Sequence, residues 1–141
     1  MRLHENKFQL DPRLHDDTLP IGDLALSNLR LMDDARFPWV VMVPRRPLLS
    51  DLIDLSPLDR PTLSHEIDCV SRALKKITSC DKLNVAALGN MVRQFHVHVV
   101  ARFEADEAWP HPVWGRGERR RYQPWDSDEM ISRLRAELEC A

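Results

Sequence analysis

Gln94, His96 and His98 are the residues of this chain whose types and spacing could do chemistry. They alternate with apolar residues in the run Gln94-Phe95-His96-Val97-His98-Val99-Val100. Successive side chains of a β-strand point to opposite faces. Phe95, Val97 and Val99 then enter a core, and the amide and two imidazoles form a polar row on the other, wetter face. Such a row costs stability unless its groups are solvated, hydrogen-bonded or used. A neutral imidazole exists near pH 7, so either ring could attack, accept a proton or bind a metal. An amide donates and accepts but does not titrate, so Gln94 cannot relay a proton. Zinc needs three or four ligands, and this row supplies two. His111 or Asp33 could add another, but no spacing sets that geometry, and no metal or other cofactor is expected. His4 and His15 read as solvated.

The elements that must hold the row follow from the pattern around it. Phe8 to Asp17 is polar with apolar anchors, and Pro12 suits the start of a short helical turn. Pro20-Ile21-Gly22-Asp23 reads as a turn. Leu24, Leu26, Leu29 and Leu31 suggest a strand with a slip that a bulge would explain. Trp39-Val40-Val41-Met42-Val43, between Pro38 and Pro44, reads as a central strand. Ser56-Pro57-Leu58-Asp59 is a helix start, which Pro61 distorts or delays. From Leu63 the apolar residues Ile67, Val70, Leu74 and Ile77 fall on one face of a four- to five-turn helix, with Glu66, Asp68, Arg72 and Lys75 mostly elsewhere. Leu83 to Leu88 and residues 93 to 102 are strands joined through Gly89-Asn90. Glu104 to Glu107 is a solvated acidic loop, and Trp109 to Gly115 a stiff covering segment. Arg116 to Arg121 is basic. Asp126 with Glu129 could cap a last helix whose apolar face is Met130, Ile131, Leu134 and Leu138. This order gives an α+β fold with an antiparallel sheet.

The run resembles the histidine triad (HIT) motif, His-φ-His-φ-His-φ-φ with φ apolar. Gln94 stands at the first histidine, His96 at the middle one and His98 at the third. Asn84 and Leu88-Gly89-Asn90 precede it at the family's spacing. Met32-Asp33-Asp34-Ala35-Arg36-Phe37-Pro38-Trp39, Val41 to Arg46 and Trp109 to Gly115 are similar to the bacterial branch described as diadenosine-tetraphosphate-hydrolase-like. The resemblance spans roughly residues 8 to 115 and implies a five-stranded sheet with a main helix, in a homodimer. It divides the chain into a HIT-like domain, 1–115, and a basic segment with a C-terminal helix, 116–141, packed on the same domain.

That resemblance implies roles. His96 attacks the α-phosphorus of a nucleotide, forming a nucleotidyl-histidine that water cleaves. His98 and Gln94 offset charge on the phosphate. Gly89 lets the backbone approach a phosphate, Asn90 contacts it, and Asn84 and Asp33 hold ribose. Substrates would be dinucleoside polyphosphates or nucleoside phosphoramidates. Trp39 departs from relatives with a further histidine there, which argues against a metal site. Two other classes stay open: a nucleotide-binding module with little catalysis, and a metal-dependent phosphoesterase.

Bulk properties narrow the partners. The net charge of -2 gives no field toward nucleic acid or anionic membrane. The longest apolar run, Trp39 to Val43, is far too short to span a bilayer. The first residues carry no signal-peptide pattern. Cys69, Cys80 and Cys140 are odd in number and lack a CxxC spacing, so they read as free thiols in a reducing cytoplasm.

Overall fold

The computed structural model describes residues 7–138. Its centre is the strand that the sequence marks with an unbroken apolar run, β3 (Trp39–Pro44), buried along its whole length. A strand buried on both faces carries such a run rather than an alternation. Around it lie β1 (Thr18–Asp23), β2 (Ser27–Met32), β4 (Lys82–Ala86) and β5 (Val97–Arg102), in the order β1-β2-β3-β5-β4, all antiparallel. The helices are α1 (Pro12–Asp17), α2 (Asp59–Thr78) and α3 (Pro124–Leu138).

On one face Leu29, Leu31, Val40, Met42, Val97 and Val99 meet Leu63, Val70 and Leu74 of α2 and Ile131, Leu134 and Leu138 of α3. Burying each such side chain contributes roughly 1.5–3 kcal/mol. The C-terminal helix therefore shares its core with the sheet. The other face is also covered. Trp39, Val41, Val43 and Val100 pack there with Leu14, Phe37, Val92, Ala108 and Val113. The expectation of a wet side to the sheet is corrected: Leu14 of α1 and the segment around Val113 cover it.

Several local readings change. Thr18–Asp23 is a strand, not a turn, and the register slip falls between Pro20 and Gly22 of β1 rather than between Leu26 and Leu29. Pro20 is tolerated because β1 is an edge strand, where a missing ladder donor is affordable. The motif strand begins at Val97, so Gln94 and His96 lie on the extended segment leading into it. Helix α2 starts at Asp59, which leaves Pro61 in the first turn, where backbone N–H groups have no helical partner anyway. The Asp106 side chain is buried, so the segment from Glu104 to Glu107 is not simply a solvated loop.

Glu66 also departs from its expected place on the solvent side of α2. It is 3% exposed, and its carboxylate accepts from the backbone N–H groups of Leu26 (2.8 Å) and Ser27 (3.0 Å). The helix thus caps the β1–β2 connection. Glu66→Gln puts an amide donor against one of those donors. It is expected to cost about 1–3 kcal/mol, the penalty of one unsatisfied buried group, read as a lower urea midpoint with unchanged slope.

Candidate active site

His98 lies on β5 opposite Val41 of β3 and Ala86 of β4, on the face turned away from α2. Trp39, on β3, reaches it: the indole Nε1–H donates to His98 Nδ1 at 2.9 Å. An indole nitrogen only donates. His98 Nδ1 must therefore be a bare acceptor, and the neutral ring carries its proton on Nε2. Trp114 closes the other side, edge-on to His98 at 5.0 Å and to Trp39 at 5.6 Å. Burial among these rings, with a smaller contribution from His96, pushes the His98 pKa down to about 3.

His96 is held in the opposite tautomer. Its Nδ1 lies 2.6 Å from the backbone carbonyl of Gln94. A carbonyl only accepts, so Nδ1 carries the proton and Nε2 keeps a free lone pair. The two rings sit 4.8 Å apart at 73°. One therefore offers a nucleophilic nitrogen and its neighbour an N–H donor. His96 is only 6% exposed and His98 4%, so neither stands in open solvent. Both nevertheless line a cavity of about 410 Å³ with Leu14, Asp17, Met32, Trp39, Trp114 and the Leu88–Val92 loop. That volume falls within the range of small-molecule sites. His96 also borders a second cavity of about 430 Å³, beside Ser50–Ile53 and Ala87–Gly89.

The remaining residues singled out in the sequence divide. Gly89 and Asn90 line the histidine cavity. Gly89 has φ +77, and a Cβ there would come within 3.3 Å of the Val92 carbonyl, so the close loop needs glycine. Gln94 turns its side chain away from the cavity to the N-terminal segment. Its Oε1 accepts from Asp11 N–H and its Nε2 donates to the Gln9 carbonyl, both at 2.8 Å. Asp33 accepts from Arg121 Nη1 at 2.8 Å and Tyr122 N–H at 2.9 Å, which fastens the basic segment to the loop after β2. Asn84 accepts from Arg102 Nη1 at 2.8 Å. Neither Asp33 nor Asn84 borders the histidine cavity. Trp39 and Trp114 are the site residues that spacing alone undervalued. The signal for Trp39 is its place at the start of the central strand; the register that sets it opposite Val100 of the motif strand is visible only in the fold.

No group of three or more His, Cys, Asp or Glu able to hold a metal occurs among the described residues. His15 is exposed beside Asp16, while His4 lies outside the described residues. No described helix is long and apolar enough to cross a membrane.

The buried neutral His98 has a measurable cost in acid. Imidazole titrates near 6.5 in an unfolded chain. Below that value the unfolded chain takes up a proton that the fold refuses until about pH 3. Stability from this ring is complete above pH 6.5 and drains as pH falls toward 3, at up to about 1.4 kcal/mol per pH unit. Urea melts between pH 7.5 and 5 are expected to show this slope, and His98→Asn to flatten it. Equal slopes would place the acid sensitivity elsewhere.

A model of the HIT domain matches residues 15–105. Three solved structures are similar over nearly the whole chain. A histidine triad protein of Bradyrhizobium japonicum shares 48% identity at a TM-score of 0.92, covering 94% of this chain and 98% of its own. One of Sinorhizobium meliloti shares 44% at 0.91, covering 93% and 97%. One of Marinobacter aquaeolei shares 36% at 0.92, covering 95% and 98%. No curated protein matches the sequence.

Proposed function

The chain belongs to the HIT domain family, and from that premise we propose that it is a nucleotide hydrolase or transferase whose nucleophile is His96. The observation that carries the reading is the pair of complementary tautomers over one cavity. His96 Nε2 attacks the α-phosphorus as the bond to the leaving group breaks, and that group departs with the electron pair, a phosphate as its anion and an amine with a proton taken from solvent water. The ring of the nucleotidyl-histidine is then positively charged, and its Nδ1–H remains on the Gln94 carbonyl, which stabilises that charge. His98 Nε2–H donates to a non-bridging oxygen as charge builds there. Water then cleaves the phosphorus–nitrogen bond and restores the neutral ring.

In this reading Gln94 acts through its backbone, and its amide fixes the segment leading into α1. Gly89 and Asn90 supply the close loop beside the phosphate. Asp33 and Asn84 hold Arg121 and Arg102, and their part is to brace the site rather than to touch ribose. The substrates are dinucleoside polyphosphates, as in the diadenosine-tetraphosphate branch, or nucleoside phosphoramidates. The proposal includes a cytoplasmic homodimer, as the family implies. Among the described residues β4 is an edge strand with no further partner, and Val85 is exposed there, which supports the dimer.

The rival reading is a nucleotide binder without turnover, favoured by the lack of a titrating group at Gln94. Incubation with a panel of both substrate classes, followed by an alkaline quench, separates the two. The expected result is product together with a nucleotidyl mass gain on the peptide that contains His96. Tight binding with neither adduct nor product would leave the chain a binder.

A further inference from the structure

A third cavity, of about 210 Å³, adjoins the histidine cavity, and Met32, Trp39 and Trp114 line both. This third cavity is bordered by Arg36, Arg116 and Arg119 against a single carboxylate, Asp34. It is built by the Gly115-Arg116-Gly117 loop, which lies beyond the residues matched by the HIT model. Both glycines have positive φ, +73 and +64. A Cβ on Gly117 would come within 3.1 Å of Arg36 Nη1. That guanidinium cannot give way easily. It is held by Asp34 through two bonds of 3.0 and 2.8 Å, and its Nη1 donates to the Arg116 carbonyl at 2.5 Å. The loop is therefore fixed by its backbone, which leaves the Arg116 side chain available.

The charges are unequally used. Arg36 is neutralised by its buried pair with Asp34. Arg119 makes a looser contact of 3.4 Å with Asp17, both side chains being about one-third exposed. No described carboxylate pairs with Arg116 within 4.0 Å. Arginine binds phosphate through planar, charge-assisted hydrogen bonds. Asp17 itself borders the histidine cavity, so Arg119, which lines the smaller cavity, contacts a residue of the larger one.

We propose that the Gly115–Gly117 loop and Arg119 form a second phosphate subsite for a nucleotide whose α-phosphate lies at His96. This rests on the nucleotide reading above and narrows it to substrates that carry more than one phosphate. The second phosphate belongs either to a polyphosphate chain or to a ribose hydroxyl.

Calorimetry on the full chain tests this without requiring turnover. Adenosine and guanosine 5′-monophosphates are compared with the 5′-triphosphates and the 3′,5′-bisphosphates. The added phosphate is expected to tighten wild-type binding by about tenfold or more, the scale of a hydrogen bond to a charged group. Arg116→Ala/Arg119→Ala is expected to lose that gain while binding the monophosphate unchanged. Arg116→Ala alone, which keeps the backbone bond to Arg36 and the Asp17 pair, should lose part of it. A gain confined to the triphosphate assigns the subsite to a polyphosphate chain, and one confined to the bisphosphate assigns it to ribose phosphate. Absence of any gain, or equal weakening of all ligands in the variants, overturns the subsite. A chain that still forms the His96 adduct under those outcomes loses only this inference. A chain that binds no nucleotide loses both.

Discussion

His96→Ala is expected to lower turnover of any nucleotide the chain cleaves by at least about 10⁴-fold, the scale seen when a residue of a concerted catalytic set is removed. Nucleotide affinity should stay within a few-fold. The asymmetry follows from what the ring does. Its lone pair enters the reaction only as phosphorus is attacked, so its loss falls on the transition state rather than on binding. The His98 donor and the Gly89 loop remain, and they account for whatever rate survives. The variant should also give no nucleotidyl adduct. Because His96 is nearly buried, its removal leaves a space, and thermal melts must show a folded protein before rates are compared. Equal turnover by folded wild type and variant would remove His96 from the mechanism.

Much of this site was legible because the rules behind it are local. The period of two in the motif put Phe95, Val97 and Val99 into the α2 core, where they lie. The spacing of three and four set the face of α2. What was not legible depends on pairings between distant segments. The polar face is covered by Leu14 from one end of the chain and Val113 from the other, so alternation alone suggested solvent. By sequence alone Trp39 is a departure that removes a ligand. Its function as the donor that sets the His98 tautomer needs the β3–β5 register. Glu66 fits a solvent-facing pattern by composition, and only the fold brings two bare N–H groups to it. Asp33 and Asn84 match the motif, yet each is engaged by an arginine from another part of the chain.

Asp106→Asn is expected to destabilise the fold by about 3–5 kcal/mol, because it removes the partner of a buried cation. Arg102 at the end of the motif strand is 1% exposed. Its Nε and Nη2 donate to the Asp106 carboxylate at 2.8 and 3.1 Å, and Nη2 also donates to the His111 carbonyl. The same carboxylate accepts from the backbone N–H groups of Phe103, Ala108 and Trp109. Burial by itself raises the Asp106 pKa, but Arg102 and these three donors outweigh it and hold it at about 2. An aspartate titrates near 3.9 when unfolded. Its contribution is therefore present above about pH 4 and lost as pH falls toward 2. That window lies below the one in which His98 begins to drain stability, so the two can be told apart by acid titration. Arg102→Met in the Asp106→Asn background should recover part of the loss, since no unpaired cation remains to be buried. A single variant as stable as wild type, or a double variant worse than the sum of its parts, would show that the pair does not anchor the end of the motif strand. Such an anchor matters to the chemistry, because the strand that ends at Arg102 carries His98, and Arg102 also holds Asn84 on the neighbouring strand.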